Sequence, residues 1–197
     1  MVHVKSRSEA VVTIACVQME PVVGDKERNI RRSLVMIEEA AGKGADLVVL
    51  PELCSSGYVF ESREEAFALS EEIPAGEACT AWGALAERAG IHIVAGINER
   101  EGNLLYNSSV VIGPIGHVGT FRKLHLWNEE NLFFEPGNLG MPVFRTPIGR
   151  IAIASEARFD GRRYQNDQDR SRKRFGQRGS EGTPGFNPAR GGTDCDD

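Results

Sequence analysis

No apolar run in these 197 residues approaches the ~20 needed to cross a bilayer as a helix, so a membrane-spanning role has no support. Basic residues are not in excess: 23 Lys plus Arg stand against 28 Asp plus Glu, a net charge of −5. That balance argues against nucleic acid as the main partner. Cysteine is scarce and scattered. Cys16, Cys54, Cys79 and Cys195 form neither a paired metal pattern nor a compact disulfide framework, so a reducing, cytoplasmic setting is expected. Lys5 and Arg7 ahead of Val11 loosely imitate a secretory leader. However, Glu9 intervenes and Gln18-Met19-Glu20 stands where small residues belong, so the run reads as a first core strand.

A more local absence begins at Ser155. From there to Asp197 there is no Ile, Leu, Val, Met or Trp, and nine Lys plus Arg nearly balance eight Asp plus Glu. Such a stretch cannot bury enough apolar area to offset its ordering entropy. The basic run Arg170 to Arg178 is flanked by acids and reads as solvated. The break falls in the middle of an apolar strand, which divides the chain into a domain over residues 11–154 and a disordered or frame-shifted tail over 155–197. Two accounts are open, a reading-frame shift near codon 154 and a natural divergent tail. The first is favoured, because natural linkers rarely begin halfway through a strand.

What remains is rich in core-forming pattern, at 41% hydrophobic residues overall. Val11 to Met19 reads as a β-branched strand. Asp25 is a candidate N-cap for a helix whose Ile30, Leu34, Ile37 and Ala41 recur at helical spacing. Leu47 to Leu50 is too short for a helix and does not alternate, which suits a central strand covered on both faces. Together these make a βαβ unit. Ser62 and Glu65 have capping-box spacing, a helix is expected over about Glu77 to Ala89 with Gly90 as its stop, and Ile91 to Ile97 reads as strand three. Asn98 to Asn103 reads as a polar turn. Leu104 to Ile112 and Val118 to Leu126 should be antiparallel strands around Gly113-Pro114-Ile115-Gly116. Val143 to Pro147 and Ile151 to Ala154 suggest a last hairpin, turning at Gly149-Arg150 and rejoining the sheet. Cys16 and Cys79 are expected to be buried small hydrophobes.

Pro51 cannot donate to a sheet ladder, so Glu52 should sit just past the carboxyl end of a buried strand, where open α/β sheets place their chemistry. A carboxylate losing hydration there suits a general base, although a lone Glu after a strand more often caps a turn or pairs with a cation. Further on, Phe121, Lys123 and His125 would share one face of a strand. Glu130, seven residues beyond Lys123, falls in a turn that read alone is a solvated acidic turn.

Leu-Pro-Glu-Leu ending in Gly57-Tyr58, then Arg-Lys-Leu-His-Leu, Glu130 and Phe134…Pro136-Gly137, in that order, resemble the nitrilase superfamily of carbon–nitrogen hydrolases over about residues 11–154. The resemblance implies an α/β fold, an αββα sandwich that is incomplete here because its second half is absent. It also implies a Glu–Lys–Cys site without metal or organic cofactor. Glu52 matches the general base, Lys123 the lysine that stabilises the tetrahedral intermediate, and Glu130 the second glutamate that supports it. The substrate implied is a small non-peptide amide, carbamoyl compound or nitrile, and the intact family member is expected to be a homo-oligomer. The third signature is missing: aligned on Gly149, the cysteine position holds Glu156, with Ser155 adjacent and out of register. Three readings follow: an inactive hydrolase, a non-catalytic binding or interaction module, or substitution by Cys54 as nucleophile.

Overall fold

The computed structural model describes residues 11–155. In chain order these residues form β1 (Ile14–Cys16), α1 (Lys26–Gly42), β2 (Leu47–Val49), α2 (Arg63–Ala68), α3 (Glu77–Ala89), β3 (His92–Glu101), β4 (Leu104–Gly113) and β5 (Gly116–Arg122). A 3₁₀ turn (Asn128–Leu132), β6 (Val143–Thr146) and β7 (Gly149–Ala152) follow. Strands β1 to β5 form one sheet in sequence order, with β1, β2 and β3 parallel and β3, β4 and β5 antiparallel. The parallel part is the expected βαβ unit. The chain connects β1 to β2 through α1, which Asp25 starts by accepting the Arg28 N–H at 3.1 Å.

Alternation along the strands sorts their side chains onto two faces. Val48, Leu50, Ile93, Ala95, Ile97, Val110 and Ile112 pack with Ile30 and Ile37 of α1 and with Trp82, Leu85 and Ala86 of α3. Trp82 is fully buried, and its indole N–H donates to Ser33 Oγ at 2.8 Å, which locks the two helices together. Removing that ring would cost about 3–5 kcal/mol. On the opposite face Leu47, Val94 and Val111 pack against Phe144 of the β6–β7 hairpin. Helices, sheet and hairpin thus follow one another as layers, the order the sandwich requires. Among the described residues no helix is long and apolar enough to cross a membrane.

Several expectations need correction. Strand β3 runs four residues past Ile97, through Glu101, because its polar residues find partners inside: Asn98 donates to Ala66 O at 2.6 Å, and Glu99 takes Arg122 and Ser108. The β6–β7 hairpin turns at Pro147-Ile148 and forms its own sheet rather than rejoining the main one. Cys16 is exposed, since it lies on the edge strand β1, where alternation turns it away from the helices. Cys79 is buried, as expected. Glu156, Cys195 and all but Ser155 of the expected tail lie outside the described residues.

Candidate active site

The site is assembled from three segments that the fold brings to one end of the sheet. The first is the turn after β2. Leu50 N still donates to Val94 O at 2.8 Å, but Pro51 has no N–H to continue the ladder and the chain turns. This turn is stapled to β3 at Gly96, whose N–H donates to Pro51 O at 3.2 Å and whose carbonyl accepts Cys54 N at 3.1 Å. Leu53 takes the left-handed conformation, φ 45°, with its side chain fully buried. Glu52 is left pointing out of the turn.

The second segment follows β5. Lys123 lies one residue past the ladder, held by its own backbone: its N–H donates to Asn107 O and its carbonyl accepts Gly137 N, both at 2.8 Å. Strand alternation therefore stops before His125, which is exposed, and the expected shared face of Phe121, Lys123 and His125 does not extend that far. Immediately before Lys123, Arg122 is clamped by Glu99 (2.5 and 3.0 Å), by Asn138 Oδ1 (2.8 Å) and by the face of Tyr106, 3.8 Å from its guanidinium carbon. The Glu99 and Glu101 carboxylates hold the guanidinium even more firmly charged than usual, the Glu99 hydrogen bonds being the largest cause.

The third segment is the 3₁₀ turn carrying Glu130. Its carboxylate accepts the Trp127 N–H at 2.6 Å across the start of the turn and is buried, so the solvated-turn reading applies to Glu129 but not to Glu130.

These segments meet around one ammonium. Lys123 Nζ lies 3.0 Å from Glu52 Oε1 and 2.9–3.0 Å from both oxygens of Glu130. The lysine side chain is 1% exposed, Glu130 5% and Glu52 35%. Two carboxylates around one ammonium give the cluster a formal charge of −1. Burying such a group is tolerable only when its lone pairs are satisfied. Glu130 meets that requirement: besides Lys123 and Trp127 N it accepts Tyr58 OH and Asn107 Nδ2, each at 2.9 Å. Every accessible direction on Glu130 is filled. Glu52 is bound through Oε1 alone in the bonds above and keeps an open side. Burial and the adjoining Glu130 carboxylate hold the Tyr58 phenol proton on well above its ordinary range.

Glu52, Lys123 and Glu130, singled out in the sequence, therefore converge. Cys54 does not join them. It is fully buried with the helix-side core, its thiol donates to Gly96 O at 3.2 Å, and burial pushes that thiol far above the ordinary range. Asn107 was missed by the sequence reading. Its signal was an amide inside an apolar strand, Leu-Leu-Tyr-Asn-Ser-Ser-Val-Val, since a buried polar side chain must have a partner.

Known proteins resemble this chain in sequence and in fold. The chain is 48% identical over 143 residues to a protein named nitrilase from Pyrococcus abyssi, covering 73% of this chain and 55% of that one. It is 34% identical over 139 residues to Omega-amidase NIT2 of Danio rerio, covering 65% and 48%. The chain thus spans about half the length of the curated relatives it matches. Among solved structures, a carbon–nitrogen hydrolase from Helicobacter pylori G27 superposes with a TM-score of 0.63 at 26% identity, over 73% of this chain and 50% of that one. An N-terminal amidase bound to an Asn-Glu-Ala peptide shares the fold, with a TM-score of 0.64 at 21% identity over 74% and 36%. The family profile described as carbon-nitrogen hydrolase matches residues 13–171, which takes in Glu52, Lys123 and Glu130 and most of the chain. On that match the chain belongs to the carbon–nitrogen hydrolase family.

Proposed function

We propose that residues 11–154 are the N-terminal part of a domain built to hydrolyse a small non-peptide amide, carbamoyl compound or nitrile. The observation that carries this is the Lys123 ammonium held between Glu52 and Glu130 at 2.9–3.0 Å, with Glu52 alone left partly open. In the complete reaction Glu52 takes the proton of a cysteine thiol, and the sulfur attacks the carbonyl carbon. Lys123 donates a hydrogen bond to the oxygen as negative charge gathers there. The C–N bond breaks, the departing amine takes the proton from Glu52, and a thioester remains. Glu52 next deprotonates water, which attacks the thioester, and the thiol leaves with its proton restored. Glu130 fixes the lysine, because its lone pairs are already committed.

This chain, as written, does not complete that cycle. No cysteine stands between Cys79 and Cys195, and the aligned position is Glu156. A carboxylate there cannot form a comparable acyl intermediate, and members of a catalytic unit are strongly non-additive, so base and lysine alone leave little of the rate. The test is ammonia release from small amides, carbamoyl compounds and nitriles by the chain and its Glu52→Gln and Lys123→Ala variants. Equal, near-background rates are expected. Turnover well above both variants would refute inactivity and send the search to another nucleophile.

A second reading has one observation in its favour, the absent thiol: the chain is a non-catalytic module that binds family ligands or family subunits. Saturable binding of a small amide, lost in Lys123→Ala without turnover in either protein, would favour it. A cytoplasmic setting is proposed for both readings, supported by the free thiols of Cys54 and Cys79. The break after Ala154 is attributed to a frame shift because the composition changes in the middle of an apolar strand, although the family match runs on to residue 171. Reading the nucleotide sequence after codon 154 in the other two frames decides it. One frame should continue the strand with Cys, an aromatic and Asp, and frames full of stop codons would leave the natural tail.

A further inference from the structure

Asn107 occupies the middle of β4, paired with Asn98 of β3, and is 3% exposed. Its Nδ2 lies 2.7 Å from Glu52 Oε1 and 2.9 Å from Glu130 Oε1. The same two oxygens each lie 3.0 Å from Lys123 Nζ. Four atoms therefore close a ring in which two donors, an ammonium and an amide NH₂, alternate with two carboxylate oxygens. The amide orientation follows from its partners: both are acceptors, so nitrogen and not oxygen must face them.

We infer that Asn107 is the positioning residue of this site. The inference rests on the reading above for what the site does, but not for the ring itself. Lysine alone attracts both carboxylates, but a single ammonium on a flexible four-carbon stem fixes neither their separation nor their rotation. The NH₂ group has two hydrogens at a fixed angle on a planar amide carried by a central strand. Giving one to each carboxylate sets the distance between them and turns Oε1 of Glu52 inward. The other Glu52 oxygen is thereby presented to the open side, where a proton is to be taken. The amide does this without charge. A second cation would neutralise the base, and a third carboxylate would overload the lysine.

The site geometry makes Lys123 the reporter. The chain has five lysines, Lys5, Lys26, Lys43, Lys123 and Lys173, so competitive acetylation of the full chain, read by mass spectrometry, resolves each one. Lys43 is largely exposed and sets the reagent scale. Lys26 is partly buried against Glu71 and reports loosening of the fold outside the ring of Glu52, Asn107, Lys123 and Glu130. In Asn107→Ala the expected result is acetylation of Lys123 raised about tenfold relative to Lys43, the scale on which losing a charge-assisted hydrogen bond changes local opening, with Lys26 unmoved. Should Asn107→Ala loosen the fold, Asn107→Ser, which keeps a small polar side chain in the strand but cannot reach both carboxylates, is expected to give the selective rise. Lys123 unchanged in a folded variant overturns the inference. So do Lys26 and Lys123 rising together in both variants, which would make Asn107 a structural residue only. Because acetylation needs no turnover, an unexpected ammonia release would refute inactivity and leave this result standing.

Discussion

Gly96 and Glu52 touch at a distance that no other residue at position 96 allows. A Cβ on Gly96 would lie 2.5 Å from Glu52 Cα and 2.6 Å from Pro51 O and Leu53 N, all backbone atoms that cannot swing aside. The missing side chain is what lets the Glu52 turn lie flat on β3. Gly96→Ala is therefore expected to lower stability by about 1–3 kcal/mol, the usual cost of forcing extra volume into a packed site. It should also lift Glu52 away from Lys123. Urea denaturation measures the first effect, and a rise in Lys123 acetylation the second. An unchanged midpoint would show that the turn yields without cost.

The Arg122–Glu99 pair is buried on both sides, so breaking it from one side leaves an uncompensated charge. Glu99→Leu is expected to destabilise the chain by about 3–5 kcal/mol. Replacing both members, as Glu99→Leu with Arg122→Met, should recover much of that loss. A single variant as stable as the parent would mean that Glu101 and Asn138, the other partners of Arg122, suffice.

Thiol accessibility separates the cysteines. Iodoacetamide should modify Cys16 readily and leave Cys54 and Cys79 untouched in the folded chain. Cys16 is exposed, while burial raises the Cys54 and Cys79 thiols, Cys79 to about 12 with the nearby Glu71 carboxylate adding to it. Rapid Cys54 labelling that vanishes in Glu52→Gln would instead make Cys54 a working nucleophile.

Acid should weaken the fold at His92. Its ring, at the start of β3, is packed against Gly113 of β4, Nδ1 has no hydrogen-bond partner among the described residues, and burial holds the imidazole below its ordinary range. The unfolded chain, with a histidine pKa of about 6.5, then takes up the proton before the folded one does. Stability from this group is fully present above about pH 6.5 and falls away as pH drops below it, toward the folded value. Melting temperatures across this window should fall less in His92→Gln than in the parent. Parallel slopes would assign the acid sensitivity elsewhere.

Much of this architecture was legible where one local rule acted without competition. The bounds of α3, Glu77 to Ala89 with Gly90 in the left-handed conformation behind it, follow from periodicity and a stop glycine. Ser62 accepts the Glu65 N–H at 3.1 Å, as its spacing indicates, although the Glu65 carboxylate reaches Glu61 N rather than the cap residue. Legibility failed where a distant partner overrode local character. Asn98 to Glu101 looked like a turn because their partners, Ala66 and Arg122, lie far along the chain. Glu130 looked solvated for the same reason. The convergence of Glu52 and Lys123 was visible only through family resemblance. Asn107 showed only as an amide inside an apolar strand, because its side-chain partners come from distant segments.

The strand order carries one further consequence. The main sheet grows in the order in which the chain is made, each strand pairing with the one before it. A nascent chain can therefore add strands one at a time from its amino end. Glu52 takes its place on β3 once Gly96 has been synthesised, yet the ammonium that neutralises it lies 71 residues after Glu52. During elongation the carboxylate has the Asn107 amide for company before it has a cation. Ribosome-bound chains from which Asn107 but not Lys123 has emerged are thus expected to hold a sheet with an uncompensated charge at one end, and to resist protease only once Lys123 has emerged.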